Sequence, residues 1–152
     1  MLIYIEGNIG SGKTTFIDLM REHLSKFETE DVEPLVVLEP VDEWMKTEDA
    51  DGKNILEKFY GDQEKWSFAF QMNSFISRIK RIEDMDTVPE GKESLIFAER
   101  SIYTDKRCFA ELCYENGKMT KLEYDVYCRW NNWLSEEFAM KPDAYIYLRC
   151  YP

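Results

Sequence analysis

The chain has 152 residues, which is enough for one domain with a sizeable hydrophobic core. Its 30 acidic and 19 basic residues give a net charge of −11, which argues against a general surface for binding nucleic acids or anionic membranes. No apolar run approaches the roughly 20 residues of a membrane span. Met1 leads directly into an apolar segment, so we expect no signal or transit peptide.

The cysteines and the histidine exclude two kinds of site. The four cysteines show no CxxC spacing, and His23 is the only histidine, so we expect neither a zinc site nor a histidine-based catalytic triad. Reduced thiols and a cytoplasmic location are the default expectation for such a chain.

The hydrophobic pattern predicts strands that alternate with helices. Strands are predicted at 2–6, 35–38, 95–98 and 144–148, and helices at 14–26, 42–45, 55–60, 63–85, 104–114 and 121–139. Short continuous apolar runs are typical of parallel strands covered on both faces, so this order predicts an α/β fold with an open parallel sheet flanked by helices. No covering helix follows the last strand, and we expect either a C-terminal truncation or an unusually short gene product.

A glycine-rich loop joins the first strand to the first helix. It matches the phosphate-binding pattern GxxxxGK[ST] and comprises Gly7, Asn8, Ile9, Gly10, Ser11, Gly12, Lys13, Thr14 and Thr15. Its glycines would let successive N–H groups point at phosphate oxygens, Lys13 would supply charge to the β- and γ-phosphates, and the Thr14 hydroxyl would ligate Mg²⁺. A plain surface turn is the competing interpretation, and the strand before and the helix after argue against it.

Charged residues follow the second and third strands. Glu39 comes after strand two, and Glu99 and Arg100 come at the end of strand three. Ligands of open parallel sheets bind beyond the carboxyl ends of the strands, and phosphoryl transfer needs a carboxylate and a cation there. Taken singly, Glu39 could cap a helix, and Glu99 and Arg100 could form an internal ion pair.

The long helix at 63–85 carries a polar face. Gln71 and Arg78 lie seven residues apart, and Ser74 lies between them, so all three project from one side. Asp105 and Phe109 share a face of a later helix at spacing i, i+4. The competing interpretation of Arg78 is a solvated surface charge.

Four motifs in this order together resemble the deoxynucleoside kinase family over the whole chain. They are the loop at 7–15, Glu39-Pro40-Val41 with Trp44, the run at 66–71 and the run at 99–105. Ser77-Arg78 and Asp105 resemble the deoxycytidine and deoxyguanosine kinase branch. Ser74 and the segment at 112–117 are most similar to deoxyguanosine kinase.

The resemblance implies a single P-loop nucleoside kinase domain over 1–152. It implies ATP-dependent phosphorylation of a deoxynucleoside 5′-hydroxyl with Mg²⁺, with a lean toward purines and with deoxycytidine as another substrate. Glu39 would accept the hydroxyl proton, Arg100 would hold the hydroxyl and the transferring group, and Glu99 with Thr14 would bind Mg²⁺. Either glutamate could be the base, and we favour Glu39.

The resemblance also implies a nucleoside site. Gln71 would read the base with Arg78 and Asp105, and Tyr60 would hold the sugar 3′-hydroxyl. The residues that would wall the base pocket or lie at its edge are apolar: Trp44, Phe70, Phe109, Leu56 and Ile9. Ordinary core packing is the competing interpretation of the aromatic residues. Asn73 stands where the family often has an aromatic residue, which leaves strict base choice open.

Assembly and alternative functions complete the expectations. The helix at 121–139 has more aromatic area than one core-facing stripe needs, and family members are dimers, so we expect a homodimer; a single thick core helix is the alternative.

A nucleoside monophosphate kinase and an inactive nucleotide-binding module are the competing functions. Family members carry an arginine-rich lid and a further carboxylate beyond strand four, so 152 residues alone should transfer phosphate weakly.

Overall fold

The computed structural model describes residues 1–85 and 87–150. The chain divides into two compact units built from interleaved segments. The first unit comprises residues 1–39 and 81–101 and the segment from 140 onward, and the second comprises residues 40–80 and 102–139. No helix in the described part of the chain combines the length and the apolar character that a membrane span requires.

The first unit contains a four-stranded parallel sheet. Its strands are β1 (Leu2–Gly7), β2 (Val32–Val37), β3 (Glu93–Glu99) and β4 (Ala144–Leu148), in the spatial order β2-β3-β1-β4. The register pairs Leu2 with Ile96 and Ile3 with Ala144, so the central strand β1 is bonded on both sides. This confirms the predicted α/β fold with a parallel sheet.

Helix α1 (Lys13–Arg21) packs its apolar side onto this sheet. Ile17 of α1 is fully buried in a core cluster with Ile5, Val36 and Phe97. The predicted helix at 14–26 is wrong at its end, because α1 stops at Arg21 and only a 3₁₀ turn (Leu24–Lys26) follows. His23 N–H donates to the Met20 carbonyl at 2.9 Å, an i→i+3 bond that tightens the last turn and ends the helix.

Strand β2 begins three residues before the predicted start at residue 35. It includes Pro34, which pairs with Leu95 in the ladder. Proline is tolerated here because β2 lies at the edge of the sheet and bonds to one neighbour only. Lys92 ties the two strand starts together, because its Nζ donates to Glu28 and Glu33 at 2.9 and 2.8 Å.

The second unit is helical. Its helices are α2 (Val41–Lys46), α3 (Ile55–Gly61), most of α4 (Gln63–Met85), α5 (Ile102–Thr104), α6 (Glu111–Glu115) and α7 (Lys121–Glu137). Capping boxes begin α3 at Asn54 and α7 at Thr120. The predicted helix at 104–114 is instead α5, a π-helical segment (Asp105–Ala110) and α6, so the chain is helical from residue 102.

Candidate functional site

The loop between β1 and α1 has the backbone that a phosphate cradle requires. Gly10 and Gly12 have φ values of 77° and 83°, in the left-handed region that favours glycine. The Ser11 N–H donates to the Asn8 carbonyl at 3.1 Å, which closes the turn. The helix that follows begins at Lys13 and directs its first N–H groups toward the loop.

Gly7 is needed for a different reason, which is space. A Cβ at this position would lie 2.5 Å from Ser11 Oγ and 2.8 Å from the carbonyl oxygen of Leu148. The second neighbour is backbone of β4, which pairs with β1 at this position and has little room to move. The loop is therefore packed against the sheet through a contact that only glycine allows.

Lys13 is folded back onto the loop. It is buried, and its Nζ donates to the carbonyl oxygens of Gly7 and Asn8 at 3.1 and 2.9 Å. Burial, and then the positive charge of Arg100, hold the pKa of Lys13 below its usual value. Burial and a nearby cation destabilise the charged form of Lys13, and a bound anion would stabilise that form. This environment therefore favours phosphate binding.

The charged residues at the ends of β2 and β3 lie within electrostatic range of that lysine. Glu99 and Glu39 oppose the lowering of the Lys13 pKa. Arg100 Nε lies 3.7 Å from Glu39 Oε1, and the side chain of Glu39 is 22% exposed against 8% for Arg100. The structure therefore brings Glu39, Glu99, Arg100 and Lys13 together in the first unit. It does not support Glu39 as a helix cap, because Pro40 precedes α2.

Arg100 has an unusual backbone conformation. Its φ is 61°, in the left-handed region that a residue with a side chain adopts only at a cost, and its N–H donates to the Ile5 carbonyl at 3.0 Å. Such strain persists where the surroundings impose it, and it occurs often at functional sites. Here it turns the chain sharply at the end of β3.

Glu6 is a buried carboxylate that the sequence did not single out. It is 9% exposed, and its Oε1 accepts a hydrogen bond from the Ser101 N–H at 2.8 Å. It also acts on the Lys13 pKa in the same direction as Glu39. The only signal in the sequence is a single acidic residue inside an apolar strand next to the loop. In the structure it fixes the turn after Arg100.

The second unit contains the polar face predicted on the long helix. Gln71, Ser74 and Arg78 of α4 are all at least 96% buried, which confirms that they share an inward side and shows that a solvated Arg78 is wrong. Ser67, which the sequence did not single out, is also fully buried. The guanidinium of Arg78 is bidentate to Asp105, with Nε to Oδ2 at 2.8 Å and Nη2 to Oδ1 at 3.1 Å. The geometry fixes the planes of both groups.

An aromatic cluster lies in the same unit. Trp44 meets Phe70 edge to face at 5.4 Å between ring centroids, and Phe70 stacks on Phe59 at 4.6 Å. Trp44 Nε1 donates to Ser77 Oγ at 2.8 Å, which holds the indole in place. The sequence did not indicate Phe59. Buried rings of this kind suit either a pocket wall or an ordinary core.

The remaining predicted residues differ in exposure. Ile9 is 79% exposed and Tyr60 is 68% exposed, whereas Leu56 and Phe109 are partly buried. Phe109 stands in the π-helical segment that also carries Asp105. The amide of Gln71 has one described partner, the thiol of Cys113 at 3.9 Å, a weak acceptor that the sequence did not point to.

Comparison with known proteins decides the family. The family model described as deoxynucleoside kinase matches residues 3–152. The chain belongs to the deoxynucleoside kinase family. It is 33% identical to mouse deoxycytidine kinase, with 99% of this chain and 61% of the mouse protein aligned. It is 32% identical to a probable deoxycytidine kinase of fowlpox virus and 29% identical to mitochondrial deoxyguanosine kinase of Xenopus laevis, covering 56% and 58% of them. The chain thus spans about 60% of the length of these relatives.

The close packing of Gly7 predicts the effect of a single methyl group. In Gly7→Ala, the ATP binding that the loop sequence predicts should weaken at least tenfold, and the free energy of unfolding should fall by about 1–3 kcal/mol, because the β4 carbonyl cannot move aside. Isothermal titration with ATP and urea unfolding measure the two effects. Gly61→Ala is the matched control, since nothing lies within 4 Å of its added Cβ and its φ is not positive. Equal behaviour of the two variants would contradict the packing argument.

Proposed function

We propose that this protein is an ATP-dependent kinase that phosphorylates the 5′-hydroxyl of deoxynucleosides to give deoxynucleoside monophosphates. The observation that carries the proposal is the combination of a phosphate loop with its folded-back lysine and a glutamate–arginine pair at the strand ends. A loop of this kind alone indicates only phosphate binding. A carboxylate beside it suits a neutral acceptor whose proton must be removed.

The donor side of the proposal rests on the loop. The backbone N–H groups and Lys13 would bind the phosphates of ATP, and the buried hydroxyl of Ser11, which has no hydrogen-bond partner in the described part of the chain, fits such a polar cradle. Thr14 and Glu99 would hold Mg²⁺, which supplies charge neutralisation during transfer. Two protein oxygens suffice because the phosphates complete the coordination of Mg²⁺.

The acceptor side rests on Glu39 and Arg100. Glu39 is the more exposed of the two glutamates, at 22% for its side chain, whereas Glu99 is 8% exposed as a whole residue. A base must reach the substrate hydroxyl, so the exposure favours Glu39 as the proton acceptor. Arg100, held near Glu39, would stabilise the charge on the transferring group.

Base selection rests on the second unit. The bidentate Arg78–Asp105 pair holds both groups in fixed orientations before a nucleoside binds, which reading of a base edge requires. The Gln71 amide both donates and accepts, and its only described partner is the weak acceptor Cys113. We infer that deoxycytidine and deoxypurines are both substrates, with a lean toward purines that rests on Ser74 and the segment at 112–117.

A nucleoside monophosphate kinase is the less favoured function. Its acceptor carries a phosphate, which needs cations, and Glu39 would repel it. An inactive nucleotide-binding module is the second alternative. A coupled assay with ATP, Mg²⁺ and each deoxynucleoside separates the three, using the protein as its gene encodes it. Absence of turnover with every deoxynucleoside would refute the proposal.

The role of Glu39 predicts a specific kinetic defect. Glu39→Gln should lower kcat by about a hundredfold or more while the KM for ATP changes little, because only proton removal is lost. Glu30→Gln, an exposed glutamate of the same unit, is the control and should be unchanged. If Glu99→Gln showed the large kcat defect and Glu39→Gln did not, the base would be Glu99.

The role of the ion pair predicts a change of specificity. The double variant Arg78→Met, Asp105→Leu should shift the ratio of kcat/KM toward thymidine, because it removes the polar groups that would exclude that base. Both residues are replaced together, since one alone would leave a buried charge without its partner, at a cost of about 3–5 kcal/mol. Unchanged ratios in a folded double variant would refute the base-reading role.

A homodimer is the proposed assembly, and a cytoplasmic location is the proposed setting. On α7, Leu122, Trp130 and Trp133 are 74%, 45% and 51% exposed, whereas Tyr127 is fully buried. The helix therefore has an apolar side beyond the one that its own core uses, which supports a partner surface. Sedimentation equilibrium should give twice the chain mass, and Trp133→Glu should shift it toward the chain mass. A wild-type monomer at micromolar concentration would refute the dimer.

A further inference from the structure

Helix α7 carries two buried polar groups that have no hydrogen-bond partner in the described part of the chain. Tyr127 is fully buried and Asn131 is 3% exposed. Within residues 1–85 and 87–150, neither Tyr127 Oη nor Asn131 Nδ2 has a hydrogen-bond partner. The two residues lie four apart on a regular helix, so their side chains project from one face, one turn from each other.

Such groups require an explanation. Burying a hydroxyl or an amide without a hydrogen bond is unfavourable, and buried groups that have no partner within the protein commonly bond to an internal water. A water needs two to four polar partners around it. Tyr127 and Asn131 together provide two.

Residues near this face of α7 contact the two elements that carry Arg78 and Asp105. The ring of Tyr127 packs edge-on against Phe75 of α4 at 5.1 Å, and Phe75 stands three residues before Arg78, on the same side of that helix. Next to Asn131 on α7, Asn132 Oδ1 accepts a hydrogen bond from Lys106 Nζ at 2.6 Å, and Lys106 directly follows Asp105. The segment of α7 that carries the two groups is thus in contact with both elements that carry the ion pair.

The charges of Asp105 and Arg78 act on the phenol of Tyr127. Burial, and then the negative charge of Asp105, raise the pKa of Tyr127 above its usual value, while Arg78 acts in the opposite direction. The phenol therefore keeps its proton and acts as a donor. A donor beside a carboxylate is a favourable arrangement when a water connects them.

We propose that Tyr127 and Asn131 hold an internal water that donates a hydrogen bond to Asp105, and that they thereby position the Arg78–Asp105 pair for base selection. The hydrogen-bond count is consistent. The Tyr127 hydroxyl and the Asn131 amide donate to the two lone pairs of the water, and the water donates one of its protons to a carboxylate, a group with about four acceptor positions.

Tyr127 and Asn131 are positioning residues in this scheme, because they act through Asp105. The water itself is independent of what the protein catalyses. Its effect on base selection rests on the proposed deoxynucleoside kinase function, so the two parts need separate measurements.

A high-resolution crystal structure of the wild-type protein tests the water directly. We expect density for a water within about 3.2 Å of Tyr127 Oη, Asn131 Nδ2 and one carboxylate oxygen of Asp105. A dry site, or a water that does not reach Asp105, would overturn the proposal. This measurement needs no activity.

Tyr127→Phe tests the hydrogen bond by the sign of a change in Tm. If the hydroxyl binds the water, its loss should lower the Tm by about 2–4 °C. If the hydroxyl has no partner, its removal should leave the Tm unchanged or raise it, and the proposal fails. Tyr147→Phe is the matched control, because Tyr147 is 62% exposed and its hydroxyl is available to solvent.

The same variant tests positioning by kinetics. Tyr127→Phe should raise the KM for the preferred deoxynucleoside about 3–10-fold, with kcat and the KM for ATP within about twofold, because only base binding depends on the pair. If Tyr127→Phe lowered the Tm but left the nucleoside KM unchanged, Tyr127 would have a structural role only, and the proposal that it positions the Arg78–Asp105 pair would be overturned. A wild-type protein that phosphorylates no deoxynucleoside would refute the proposed function instead, and the water would still be decided by the structure and the Tm.

Discussion

The parallel register of β1 governs the arrangement of the first unit. Because Gly7 pairs with Leu148 of β4 and Ile5 pairs with Glu99 of β3, β4 ends level with β1, and β3 ends two residues before them at the same edge of the sheet. The phosphate loop begins where β1 ends, and Arg100 follows where β3 ends. A shift of one residue in either ladder would reverse the facing of every side chain in the strand and separate the loop from these charges.

Both units contain buried charge that stability alone does not explain. In the first, Glu6, Glu99 and Arg100 are each less than 10% exposed, and in the second, Arg78 and Asp105 are 2% exposed. Buried ion pairs contribute little to stability on average, because the loss of hydration offsets their attraction. A protein with a net charge of −11 has ample surface for such groups, so their burial supports the recognition and catalytic roles that we propose for them.

The sequence predicts what depends on local pattern. The strand at 144–148 and the helix at 63–85 were predicted with the observed bounds, because each is a continuous pattern with clear limits. The phosphate loop is equally local, since its glycine and lysine spacing carries the chemistry. The helical spacing of Gln71 and Arg78 predicted the shared face, but not that Arg78 would meet Asp105 in two hydrogen bonds.

Other features depend on tertiary contacts and were missed. The start of β2 contains a proline and an acidic residue, and neither is typical of a buried strand. The strand forms there because β2 lies at the edge of the sheet. Glu6 and the Tyr127 hydroxyl, which has no hydrogen-bond partner among the residues that the structure describes, stand out only once burial is known, and no spacing in the sequence reports burial of a single polar atom. The π-helical segment has no hydrophobic period of its own that would distinguish it from an α-helix.

The π-helical segment has a consequence for the base recognition that we propose. Each of its i→i+5 hydrogen bonds encloses one more residue than the i→i+4 bond of an α-helix. Loss of one residue would restore regular α-helix and rotate Asp105 by about 100° relative to α6, since each residue of an α-helix advances by that angle. The length of this segment therefore constrains the partner of Arg78 as strictly as the identity of residue 105 does. Under the proposed function, insertions and deletions in this segment, as well as substitutions, would change which nucleobase the site selects.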